Sequence, residues 1–517
     1  MNCGTCPLNR RRFLVGCAAG IAGFATLKLE GAAAVVTQKP KVRVVFSHHR
    51  QNEEGKQSEP GWPYLGYDHE GRKQTLLVGL RQACPGIEFL PATAYNPADA
   101  KKVLESDADV DGYLAYMIGG WAGAAETLAA SGRPTLFVGD LFGASGELLT
   151  AYAAARRAHR PVAVVSSSRL QDVAAAARCF ALLKEPGGSV DAFVGACDQA
   201  RRKRAQGAGD LKCAQDAVKP IPVEDCLSKL RAAKILAVGG GWDMPGSGKA
   251  IEEVFGTKVV PVEFAELKEA GLKLDPAEAR RWADQWSAGA ARIIEPTRAD
   301  IQNSAALYLA MLELLKRHNA EAITINCLGG FYGGHMKAYP CLGFCQLNDD
   351  GLVGACEGDL ASTITMLTVT SLTGRPGFIS DPVIDTAKNQ IVYVHCVAPT
   401  KVFGPQGRSN PYHLRSHGED RKGASMRSLM PLGYLVTTLK MDASRRQVIF
   451  HQGKSVANVD DPKSCRTKLA VEVKGDIDKL FGEWDQWGWH RVSFYGDLRR
   501  PIEAISQALG LTLVEEA

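Results

Sequence analysis

Lys41-Val42-Arg43-Val44-Val45-Phe46-Ser47 decides the fold: rich in β-branched residues, it reads as a buried strand and is the first of a series. Similar apolar runs return at residues 87–90, 112–117, 134–138 and 161–166, with helical patterns between them at 73–84, 122–130 and 147–158. Strands that alternate with helices need crossover connections, and crossovers build a parallel sheet. The first domain, expected over 41–185, is therefore doubly wound.

Outward from there the same grammar repeats. A basic helical stretch at 192–229 leads to strands at 234–238, 259–262 and 322–327, with long helices at 276–292 and 300–318. This marks a second α/β domain over 186–389. From Gln390 the character changes to short alternating runs, 391–397, 433–441 and 447–451, broken by Gly, Asp and Asn. Such spacing predicts antiparallel strands in a small β-barrel-like domain over 390–517. The expected fold class is thus α/β, two doubly wound parallel-sheet domains followed by a small antiparallel barrel-like domain.

Before the first strand stands a different kind of segment. Arg10-Arg11-Arg12-Phe13-Leu14 opens a 15-residue apolar run that stops at Lys28, too short for the ~20 residues that span a bilayer. Paired arginines before a moderately apolar stretch, with Ala32-Ala33-Ala34 as a cleavage site, predict a twin-arginine-type signal over 1–34, a linker over 35–40, and an exported, periplasmic protein handled by the twin-arginine machinery. Cleavage after Ala34 lowers the formal charge from +5 to +2. With 45% hydrophobic and 23% charged residues the chain is neither disordered nor multi-spanning, and without clustered positive charge nucleic acid is not a partner. Of fourteen cysteines, three fall in the signal and the rest are scattered, so buried thiols are expected, not a structural zinc site.

Two glycine-rich stretches follow strands. Residues 239–250 fail the phosphate-loop pattern, because Asp243 replaces the first glycine and Ala250 the hydroxyl residue after Lys249. Residues 329–335 sit at the carboxyl end of a strand, the right place to meet a ligand.

The chemistry concentrates in Cys341-Leu-Gly-Phe-Cys345-Gln-Leu-Asn-Asp-Asp350-Gly-Leu-Val-Gly-Ala355-Cys-Glu357-Gly-Asp359-Leu-Ala361. Glu357 and Asp359 stand two apart where an apolar strand meets a helix start. Burying both is costly unless something positive compensates them, and a divalent cation is one candidate. The other reading makes Asp359 the helix N-cap and Glu357 the partner of an arginine.

Leu347-Asn348-Asp349-x-Gly351, Cys356-Glu357-x-Asp359 at a helix start, Asp381, Asn389, a strand carrying His395-Cys396, and Gly488-Trp489-His490-Arg491-Val492 together resemble the carboxyl-terminal half of the L-fucose and L-arabinose isomerase superfamily. The resemblance implies an aldose–ketose isomerase that works through an ene-diol, with a manganese-type divalent cation, a sugar substrate and a homo-oligomeric assembly. It implies Asp359 and His490 as metal ligands, with Glu357 added by proximity as the further ligand and as second catalytic carboxylate beside Asp359; His395, which the resemblance includes, His335 and the aromatic Trp489 are the candidates at the sugar. One departure stands out. Counted back from Asp359, the further carboxylate expected about two dozen residues upstream is missing; His335 occupies that vicinity, with no Asp or Glu between Glu321 and Asp349. An altered ligand set, or an exported scaffold that binds sugar or glycan without turnover, both remain open.

Overall fold

Residues of Lys41–Ser47 serve two different cores, and its four apolar residues are all buried. Val42, Val44 and Phe46 pack in one layer with Leu80 and Phe193, and Val45 packs in the other with Phe137 and Tyr152. The computed structural model describes residues 38–50, 61–214, 216–240 and 246–517; the expected signal, residues 1–34, lies outside the described residues. The first sheet is entirely parallel, ordered Glu88–Ala94, Lys41–Ser47, Gly112–Met117, Thr135–Gly139, Val162–Ser166. A second parallel sheet runs Val353–Ala355, Ala322–Ile325, Lys234–Val238, Lys258–Val262.

The last part closes into a ring. Strands Leu435–Asp442, Arg491–Tyr495, Phe378–Asp385, Gln390–His395, Thr467–Lys474 and Gln447–Asn458 pair antiparallel in that order, and the last pairs back with the first. A register shift between Ser455 and Ala457 bends the long strand Gln447–Asn458 from one neighbour to the other. The ring takes in Phe378–Asp385, which precedes the alternating runs read from Gln390. The fold class read from the sequence, two doubly wound domains and a small antiparallel barrel, is the one observed.

The glycine cluster at 329–335 has a packing cause. Its first part lies in a short helix, Cys327–Tyr332, not an open loop. A Cβ on Gly330 would meet Met336 Cε at 2.6 Å and Phe264 Cε1 at 2.7 Å, so close helix packing demands the glycine.

Candidate active site

Three pieces of local structure meet at one point. Val353–Ala355 is a parallel strand of the second sheet, and at its carboxyl end the chain turns through Glu357, whose φ of +62° is a costly left-handed conformation for a non-glycine residue. Helix Leu360–Thr373 begins immediately, capped by Asp359, whose side chain accepts from Ser362 N at 2.8 Å and from Ser362 Oγ at 2.7 Å. In the barrel, the ladder between Phe378–Asp385 and Arg491–Tyr495 ends on the pair Ser380 and Arg491, so Asp381 and His490 emerge side by side. His395 ends the next strand, whose pairing places Val394 opposite Asp381.

His490 is the hub. Its Nδ1–H donates to Asp359 Oδ2 at 3.0 Å, and Lys440 Nζ donates to the same oxygen at 2.9 Å. The opposite ring nitrogen, Nε2, faces Asp381 Oδ1 at 3.3 Å and Glu357 Oε2 at 3.5 Å. It is buried and has no hydrogen-bond partner among the described residues. With Nδ1–H committed to Asp359, Nε2 is the nitrogen that a cation could take, in exchange for the proton that the surrounding carboxylates favour there. His395 has the opposite tautomer: its Nδ1 accepts from Cys396 N at 2.9 Å, so the proton sits on Nε2, which points at Glu357 Oε1 3.6 Å away.

The electrostatics follow. Burial would raise Asp359, but Lys440 and His490 outweigh it and hold the carboxyl far below its ordinary value. Burial would also raise Glu357, yet His395, His490 and His417 keep it lowered. His490, which burial would lower, is raised to about 10 by Asp359, Asp381 and Glu357. Glu419, buried near Glu357 and Asp381, is pushed up to about 7.

Two cavities flank Glu357. One is lined by Asp359, Lys440 and His490, the other by Asp381, Glu419 and Trp121, and Trp489 lines both. The Trp489 ring lies 4.3 Å from that of Trp121, which is 49% exposed. Trp484 and Trp487, close before Trp489 in the chain, are buried. His48, just past the first strand, stacks on His69 at 4.1 Å.

The structure thus brings Glu357, Asp359, His395, Trp489 and His490 together. His335 is exposed, stacks on Phe264 at 4.9 Å, and lines neither cavity. Sequence reasoning assigned no role to Asp381, Lys440, Trp121 or Glu419. Asp381 carried a usable signal, a charge inside the apolar run Phe378–Asp385. The others did not, since only folding places them at the site.

No family model matches the chain. A sulfoquinovose isomerase of Clostridium sp. (strain MSTE9) is 27% identical over 299 residues, 55% of this chain and 64% of that protein. Another, from Alkalicoccus urumqiensis, is 26% identical over 306 residues, 57% of this chain and 67% of that protein. A third, from Priestia megaterium, is 27% identical over 203 residues, 37% and 44% of the two chains. The match spans less than two thirds of the first relative's length. Over more than half of its own length, then, the chain is similar to sugar isomerases.

Proposed function

We propose that the protein is a metal-dependent aldose–ketose isomerase whose divalent cation, of the manganese type, is held by Glu357, Asp381 and His490. The observation that carries this is the His490 ring: one nitrogen locked as a donor by Asp359, the other buried, unpartnered and facing two carboxylates. The donor set of two carboxylates and one imidazole suits a hard or borderline cation. Asp381 replaces Asp359 in the ligand set expected from the sequence, because the Asp359 oxygens are already committed to Ser362, Lys440 and His490. With that exchange, Glu357 stands about two dozen residues before the ligand aspartate, and the carboxylate sought upstream is Glu357 itself.

A bound cation would supply Lewis-acid stabilisation for the negative charge that develops as an aldose passes through an ene-diol. The remaining work belongs to side chains. Asp359 keeps His490 in its acceptor tautomer, His395 Nε2–H is aimed to donate toward Glu357 and any oxygen beside it, and Glu419, held near neutrality in the same cavity, is suited to carry the proton between adjacent carbons. Trp121 and Trp489 offer apolar faces to a sugar ring. The similarity to sulfoquinovose isomerases supports a sugar substrate and makes sulfoquinovose the first to test.

Metal analysis of the purified chain is the primary test. Asp381→Asn and His490→Ala are expected to lose bound manganese, Asp359→Asn to bind it 10- to 100-fold more weakly through loss of the orienting carboxylate, and His335→Ala to match the unaltered protein. Full metal content in Asp381→Asn refutes the ligand set. Product analysis on sulfoquinovose and neutral aldoses tests the reaction itself.

A further inference from the structure

Behind Glu357 lies a pair of thiols that the proposed reaction does not use. Cys327 and Cys356 have their sulfurs 3.4 Å apart, and each residue is only 2% exposed. The sheet sets their proximity. Cys356 directly follows Val353–Ala355, Cys327 lies just past Ala322–Ile325, and these two strands are paired parallel neighbours. The sulfurs have to close from 3.4 Å to the roughly 2.05 Å of a disulfide.

The pair also sits one residue beneath an open space. Leu328 and Glu357, the residues that follow the two cysteines, line the cavity shared with Asp381 and Glu419. Cys341, Cys396 and Cys465 are equally buried, and the thiol–thiol contact recorded among the described residues is the one between Cys327 and Cys356.

We propose that Cys327 and Cys356 are an oxidative modification site, a thiol pair that hydrogen peroxide entering this cavity closes to a disulfide. One sulfur attacks peroxide: the O–O bond breaks, an S–O bond forms, and the released hydroxide leaves as water with the thiol proton. The second sulfur then displaces the oxygen, which departs as a second water, and the S–S bond forms. Two thiols lose two electrons and one peroxide gains them. Cys356 directly precedes Glu357, so the modification acts on the residue joined to the strained glutamate. The inference depends on neither the metal nor the isomerase reading.

The test uses the full folded chain, reduced, exposed to hydrogen peroxide, quenched, and alkylated in denaturant. The expected result is the loss of two alkylatable thiols, reversed by dithiothreitol, with the linkage mapped to Cys327 and Cys356. Trypsin at Lys337 combined with Asp-N at Asp350 places Cys327, the pair Cys341 and Cys345, and Cys356 on three separate peptides for that mapping. Cys327→Ala should show no peroxide-dependent loss of thiol pairs; Cys327→Ser gives the same readout if the alanine variant does not fold. An unchanged thiol count in the unaltered chain, a linkage through Cys341, Cys396 or Cys465, or sulfinic acid at either position without a disulfide would overturn the proposal.

Discussion

Replacing Asp359 by alanine should be among the most destabilising single changes in the molecule, and its cost can be assembled from the structure. The side chain caps helix Leu360–Thr373 through two bonds to Ser362, and losing such a cap costs about 1 kcal/mol. It is also the counter-ion of Lys440, at 2.9 Å, whose side chain is only 5% exposed. Stranding a buried charge costs roughly 3–5 kcal/mol. Together these reach about 4–6 kcal/mol, comparable to the whole stability of many domains. Asp359→Asn keeps the cap and loses only the charge, so it should be the milder variant by about 1 kcal/mol. The decisive variant is double. Adding Lys440→Met to Asp359→Ala removes the stranded ammonium while keeping the bulk, and most of the lost stability should return. Guanidinium unfolding, followed by fluorescence and by hydrogen exchange in residues 360–373, measures all four proteins. A double variant no more stable than Asp359→Ala alone would refute the argument that the carboxylate's main task is to neutralise Lys440 while it aims His490.

Other outcomes follow from the same kind of reasoning. Burial pushes Glu147 up to about 7 against its bonds from Ala122 N and Gly123 N, so the native state keeps a proton that the unfolded chain releases near 4.5. Its contribution to stability is therefore complete below pH ~4.5 and is lost as pH rises through about 7, a span of about 3 kcal/mol at most; the difference between the unaltered chain and Glu147→Gln in urea unfolding across that range should trace it. Glu516 behaves oppositely. Arg491 and His451 hold it down to about 2 although burial opposes them, so its stabilisation is present above about 4.5 and fades as pH falls through about 2. Glu516→Ala strands the fully buried Arg491 and should cost ~3–5 kcal/mol in denaturant unfolding. Trp121→Ala should weaken sugar binding with little loss of global stability, read by titration calorimetry, because the ring is half exposed and packs on Trp489.

Much of this molecule was legible in the chain. Alternating apolar strands and amphipathic helices prescribe parallel sheets because a crossover connection leaves no other pairing, and the short alternating runs after Gln390 prescribe antiparallel pairing. The Cys356-Glu357-Gly358-Asp359 junction was also visible as a place where burying two carboxylates needs compensation. Which carboxylate faces which nitrogen was not. Asp359 and Asp381 are the same residue type, and proximity in sequence favoured the nearer one.

That choice is made by tertiary structure. A local helix start turns Asp359 toward Ser362, a barrel strand brings Lys440 to its free oxygen, and the ladder between two other barrel strands sets Asp381 beside His490. The amino-acid order by itself determined the strand and helix periods, hence the fold class and the neighbourhood of the site, since periodicity is a property of adjacent residues. Only the closed ring decided the geometry around His490, because its Nδ1 partner Asp359 lies 131 positions away, is itself held by Lys440 81 positions further along, and the strands that carry Asp381 and His490 have a register no local pattern encodes.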